Sequence, residues 1–342
     1  MYLSSLATAN PTHSFSQRET WKSLQLHPDA GALKGRSWNL LEKILTNTSS
    51  GIESRQFSSP DLTSIFHQNA QELNRSFEIH SPDLACSALQ EALLKANVNA
   101  DEIDALILCT CTGYLCPGPS SYVAEKIGLR TDAYLLDLVG LGCGAAIPTL
   151  RAAEGYLAAN PSHKVAMIAV EISSAAFYID DDPGVLISLC LFGDGAAAAI
   201  LTGEKTDEHQ WKFHDFDTCH IPENREKIRF TNAGGKLKNQ LHRSVPGLAA
   251  GAVNSLFEKR VFHPQQILAH SGGRDVIEAI ETAIPGYHLL ETREILRRHG
   301  NMSSPSVLFA LAERLGSHPE DNQLWLTAFG AGFAAHSCHI SR

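Results

Sequence analysis

Short runs of consecutive apolar residues alternate along this chain with longer stretches whose apolar positions recur every three or four residues. That is the pattern of buried strands interleaved with amphipathic helices, and it predicts an α/β protein. Ala105–Cys109 and residues 165–170 and 196–201 read as buried strands, and residues 133–137 as another. Pro119–Ile127 reads as a helix, opened by a proline where no N–H is needed and closed by Gly128. Ile147, Leu150, Ala153 and Leu157 recur at helical spacing until Asn160 and Pro161 stop that helix. Further on, Gln266–Ala269 reads as a strand, and Ile277, Ile280 and Ile284 mark one face of a helix. Residues 291–298 and 304–315 read as two more helices, the second with Pro305 in its first turn, and strands at 324–329 and 331–337 follow. The polar, charged segment 203–210 interrupts the alternation and is the predicted join between two halves, 1–205 and 206–342.

The chain has 342 residues, 44% of them hydrophobic and 19% charged, which is enough apolar surface for a sizeable core and too little charge for a disordered or coiled-coil protein. The net charge of −9, without a long basic run, argues against a nucleic-acid partner. The most apolar stretches are broken by Arg151, Glu154 and Asp194, short of the ~20 clean residues of a membrane span. Eight cysteines, with a start (MYLSSLATANPTHSF) that lacks the basic-then-apolar form of a signal peptide, predict free thiols and a cytoplasmic location. Cys109, Cys111 and Cys116 have no second ligand pair at regular spacing, so no metal site is expected there.

Candidate chemistry centres on Cys143, which sits between a strand and a helix and is framed by Gly142 and Gly144. Free N–H groups and the positive end of a helix favour a thiolate, and the glycines allow close approach. By its type alone a cysteine is more often a buried packing residue. His270 follows the strand Gln266–Ala269 and faces a glycine loop, and Asn301 lies between two helices, where an asparagine is usually a turn residue or cap.

Taken together and in order, GLGCGAA at 140–146, ILAHSGG at 267–273 and HGNMSSPSVLF at 299–309 resemble the three active-site motifs of the type III polyketide synthases, the chalcone and stilbene synthase relatives. TANPTHSFSQ at 8–17, GIESRQF at 51–57, LFGDGAAAAIL at 191–201 and SVPGL at 244–248 extend the likeness over nearly the whole chain. The resemblance implies a five-layered αβαβα thiolase-like fold of two duplicated halves, a homodimer, and CoA thioesters as substrates with no cofactor. It implies that Cys143 carries an acyl group, and that His270 and Asn301 stabilise the enolate left when malonyl-CoA loses CO2.

It also implies a cavity. Phe192 would stand where the CoA tunnel meets it, and Gly247, Ser303, Cys111 and Ala176 would line it; Cys116 would reach the partner's site. The lesser alternative for Phe192 is simple core packing. The small residue at Ala176 implies a roomy cavity, and Arg36, Lys43 and Arg55 are nearby candidates for gripping CoA phosphates. FGAGF at 329–333 lacks the family's proline and is nearer the ketoacyl synthase III form. The alternatives are therefore a ketoacyl synthase III-like single condensation onto a carrier protein, or a non-catalytic scaffold of the same fold.

Overall fold

The computed structural model describes residues 1–47, 50–207 and 210–342. In chain order it contains β1 (Tyr2–Ala9), β2 (His13–Ser16), α1 (Gln17–Leu26), α2 (Gly35–Thr46), β3 (Ser54–Phe57), α3 (Leu62–Phe66), α4 (Ala70–Ala96), β4 (Ala105–Cys109), α5 (Pro119–Ile127), β5 (Tyr134–Leu138), α6 (Ala146–Ala159), β6 (Lys164–Glu171), α7 (Pro183–Leu191) and β7 (Gly195–Thr202). There follow β8 (Lys212–His220), β9 (Ile228–Ala233), β10 (Lys236–Leu241), α8 (Val245–Lys259), β11 (Gln266–Ala269), α9 (Arg274–Ala283), α10 (Leu290–His299), α11 (Ser306–Ser317), β12 (Gln323–Gly330) and β13 (Ala334–Ser341).

Nine strands hydrogen-bond in the order β11-β12-β13-β8-β1-β7-β6-β4-β5. On one side β1, β7 and β6 run antiparallel in turn and β6 pairs parallel with β4. On the other, β8, β13 and β12 run antiparallel in turn and β12 pairs parallel with β11. Among the described residues the two sets of strands pair at the start of β1 and β8, through Tyr2 and Lys212. The polar segment 203–210 crosses from one set to the other, and its residues 208 and 209 lie outside the described residues.

Helices α6 and α11 lie between the two sets. Ala146, Ile147 and Leu150 of α6 and Val307, Leu308 and Leu311 of α11 share one buried cluster with strand residues from both. Helix α4 covers the outer face of β1, β6 and β7, and α8 with α9 covers the outer face of β12 and β13. The layers thus run helix, sheet, helix, sheet, helix, which is the expected fold class. Apolar strands such as β4 are buried on both faces because each sheet has helices on both sides.

Several elements depart from the sequence pattern. Helix α4 runs 27 residues straight through Pro82, a residue that reads as a stop, while a capping box of Asn69 and Glu72 secures its start. Strand β13 begins at Ala334, three residues later than expected, because Gly332 takes a φ of 134° in the turn after Gly330. Pro305 precedes α11 rather than occupying its first turn.

Candidate active site

Cys143 lies in a short 3-10 turn, Gly142–Gly144, that leads into α6. The turn nests against the end of β12, and two glycines make that possible. A Cβ at Gly330 would fall 2.5 Å from the Gly144 nitrogen, and one at Gly144 would fall 3.1 Å from the Phe329 carbonyl carbon. His270 follows β11 and anchors its backbone N–H on the Thr327 carbonyl at 3.0 Å. The edge of its ring meets Phe329, with centroids 5.2 Å apart. Asn301 is tied to the end of α7: its N–H donates to the Leu191 carbonyl at 2.8 Å, and its own carbonyl accepts from Gly193 at 3.0 Å.

Ser303 organises the group. Its backbone is left-handed at φ 61°, and its N–H donates to Asn301 Oδ1 at 2.8 Å, which fixes the amide with Nδ2 as the donor side, where it reaches the Gly272 carbonyl at 3.3 Å. Its hydroxyl donates to Cys143 Sγ at 3.2 Å and lies the same distance from Cys111 Sγ. Cys143, His270, Asn301 and Phe192 all line one cleft of about 590 Å³.

Burial decides the resting charges. It pushes the Cys143 thiol up to about 12, against the lowering effect of the Ser303 hydroxyl. It pushes the His270 imidazole down to about 3, and His270 Nδ1 has no hydrogen-bond partner among the described residues. Burial thus favours the neutral form of both groups, against the thiolate-favouring position of Cys143 before α6. A neutral imidazole can still accept the thiol proton when substrate arrives.

Phe192 lines both the cleft and a second, inner pocket beside Ala176, with Phe230 and Asn239 as further shared wall. That inner pocket measures only about 20 Å³. The small side chain at Ala176 does not make it roomy, because Phe177, Val185, Phe230 and Leu237 fill the surrounding space. Cys111 reaches Ser303 rather than either cavity, and Cys116 is exposed ahead of Pro117. Gly247 is misplaced by the motif reading: it lies on the exposed first turn of α8, lines neither cavity, and a Cβ there would meet nothing within 4 Å.

Of the expected basic residues, Lys43 lines the cleft mouth, whereas Arg36 does not. Arg55 is fully buried and donates to the Leu189 and Phe192 carbonyls at 2.7 and 2.8 Å and to Gln17 Oε1 at 2.9 Å. It is committed to the protein and cannot hold a phosphate. Arg229, Arg243 and Arg274, which the sequence reading passed over, stand with Lys43 on the cleft wall.

Two buried carboxylates were also missed. Glu171 accepts from Thr110, Cys111, Thr112 and Ser304, and holds the Cys111 loop against α11. Asp194, in the LFGDG turn, accepts from the backbone and hydroxyls of Ser58 and Ser174. Burial raises both acids above the usual carboxylate range. An acid closing the apolar run 165–170 and another interrupting the apolar run 189–201 were the available signals.

The chain matches the family described as FAE1/type III polyketide synthase-like protein over residues 2–232. It belongs to that family. The 3,5-dihydroxyphenylacetyl-CoA synthase of Amycolatopsis orientalis is 29% identical over 72% of this chain and 70% of its own length. The 1,3,6,8-tetrahydroxynaphthalene synthase of Streptomyces griseus is 23% identical over 87% of this chain and 82% of its own. The crystal structure of PKS-I from the brown alga Ectocarpus siliculosus superposes with a TM-score of 0.91 at 23% identity, covering 100% of this chain and 98% of that one, and shows the shared fold. As a type III polyketide synthase-like protein the chain is an acyltransferase. Among the described residues no helix is long and apolar enough to cross a membrane.

Proposed function

We propose that this polyketide synthase loads an acyl group from an acyl-CoA onto Cys143 and extends it with malonyl-CoA by decarboxylative condensation. The observation that carries the proposal is the convergence of Cys143, His270 and Asn301 on one cleft, with Ser303 bridging Cys143 and Asn301. In the acylation step the thiol proton passes to His270 as Sγ attacks the thioester carbonyl. The proton then leaves with the departing CoA thiol, and Cys143 is left as the acyl thioester.

Malonyl-CoA then takes the vacated cleft. Loss of CO2 leaves an enolate whose oxygen accepts hydrogen bonds from the His270 ring N–H and Asn301 Nδ2. The enolate carbon attacks the acyl-cysteine carbonyl, and the Cys143 thiolate departs. Lys43 and Arg243 on the cleft wall, with Arg229 and Arg274 beside them in ion pairs to Glu226 and Asp275, offer positive charge to the phosphates of CoA.

Two structural readings accompany this one. The repeated strand pairing on either side of the β1–β8 contact supports a division into two duplicated halves, 1–205 and 206–342. The edge strand β5 exposes Tyr134 and Leu135, with Val139 exposed just beyond, and this apolar edge supports a homodimer through that face. One observation favours the single-condensation alternative: an inner pocket of about 20 Å³ leaves little room for a growing chain behind Phe192.

The test separates the half-reactions. Cys143→Gln should retain malonyl-CoA decarboxylation, measured as CO2 release, and lose chain extension. His270→Ala should lose both. Decarboxylation at the parent rate in His270→Ala would refute the donor assignment, and a product profile with malonyl-CoA separates one condensation from several.

A further inference from the structure

Away from the cleft, on the strand pair β8 and β13, the adjacent His214 and Asp215 converge with His339, which is distant in sequence. His214 and His339 are direct partners in the antiparallel register, so their side chains share a face. One extra residue in β8 shifts the register between Ser337 and His339, and Asp215 takes a left-handed φ of 51° at that bulge. The bulge brings the Asp215 carboxylate beside its neighbour His214 instead of on the opposite face. Cys338 and Ile340 point into the central layer, so His339 faces the other way, where Phe262 stacks on its ring.

Asp215 Oδ2 lies 2.8 Å from His214 Nδ1 and 3.7 Å from His339 Nδ1, and one ligand atom from each of the three residues lies within 4.8 Å of the others. Tetrahedral zinc with bonds near 2.0–2.1 Å sets its ligand atoms about 3.3 Å apart, which falls between the two measured separations. His339 is only 5% exposed, yet neither of its ring nitrogens has a hydrogen-bond partner among the described residues. A buried imidazole with both nitrogens unmatched calls for an explanation.

The geometry points to a binding site for a divalent cation of the zinc class, held by His214, Asp215 and His339. Two imidazoles and one carboxylate form a donor set suited to zinc and poor for magnesium. Ser341 Oγ sits 2.9 Å from His214 Nε2 and orients the ring, as an outer partner of a metal-bound histidine does. Entry of the cation displaces the proton shared by His214 Nδ1 and Asp215, and the exposed side of Asp215 leaves room for water as the remaining ligand. The ion would clip β8 to β13 with no part in condensation.

Zinc chloride is titrated into the full chain against a colorimetric chelator, with magnesium chloride as control, and zinc-edge anomalous diffraction locates the ion. The expected peak lies about 2.1 Å from a nitrogen of each histidine and an Asp215 oxygen. Asp215→Asn keeps a residue that tolerates the left-handed backbone and should abolish this peak. Ser341→Ala should weaken binding by roughly 10–100-fold. Condensation activity of both variants should equal the parent's. Zinc bound only at cysteines, no zinc bound, or an Asp215→Asn titration that matches the parent would overturn the proposal.

Discussion

Replacing Arg55 by methionine distinguishes a structural arginine from a phosphate-gripping one. The guanidinium is fully buried, and burial lowers its pKa to about 10, which leaves it charged at neutral pH. Arg55→Met keeps most of the side-chain volume but strips the charged donor from three short bonds, to the Leu189 carbonyl, the Phe192 carbonyl and Gln17 Oε1, and from a longer one of 3.3 Å to Thr20 Oγ1. Each such bond is worth about 1.5–3 kcal/mol, so the three together amount to roughly 5–9 kcal/mol. Against this, the variant no longer buries a cation. Lowering the pKa from 12.5 to about 10 corresponds to about 3 kcal/mol of that cost. The net expectation is a loss of about 2–6 kcal/mol, read as a lower midpoint in urea unfolding. Because two of the lost bonds hold the turn carrying Phe192, the cleft should also loosen. Lys43→Ala should behave in the opposite way, with an unchanged midpoint and a raised KM for malonyl-CoA. An Arg55→Met protein of parental stability whose only defect is a raised KM would refute this assignment.

Gly247→Leu should leave product length and melting temperature close to the parent's, because the position is exposed and a Cβ there meets open space; shortened products would restore Gly247 to the cavity. Ala176→Leu pushes a larger side chain into the inner pocket at a cost of about 1–3 kcal/mol, and mass spectrometry should show shorter products with short-starter loading nearly unchanged. A pH test addresses His270. Its folded pKa, near 3, lies below the unfolded value of about 6.5, so the unfolded chain takes up the proton first and stability falls as pH drops through that window. The stability of the parent relative to His270→Gln should thus decline by about 2 kcal/mol between pH 7 and pH 5 in urea unfolding, and a constant difference would mean that the imidazole is not buried and neutral.

Where the signal was local, the sequence was readable. Both ends of α5 follow from Pro119 and Gly128, whose φ of 78° and N–H bonds to Ala124 and Glu125 close the helix. Helix α4 was hidden because Pro82 and Ser81 are buried within it, so neither the periodicity nor the stop signal matched the outcome. Helix α7 is apolar all round, and a short apolar run cannot be told from a strand by period alone. At the site, the glycine frame marked Cys143, because close backbone approach leaves a mark in composition, whereas His270 and Asn301 stood out only through the family motifs that contain them. Side-chain direction leaves no such mark. That is why Arg55 and Gly247 were read as site residues, and why Ser303, expected only as a lining residue, turns out to position Asn301 and Cys143 together. The His214, Asp215 and His339 grouping depends on strand register and one bulge, which no local spacing records.

The central claim is that Cys143 carries the growing chain, and the most direct measurement is of that covalent bond. The protein is incubated with an acyl-CoA starter in the absence of malonyl-CoA, quenched in acid, digested and examined by mass spectrometry. The account predicts the acyl mass on the peptide containing Cys143, its absence from Cys143→Ala, and its loss once malonyl-CoA is added. An acyl group on Cys111 or Cys190 instead, or undiminished product from Cys143→Ala, would contradict it.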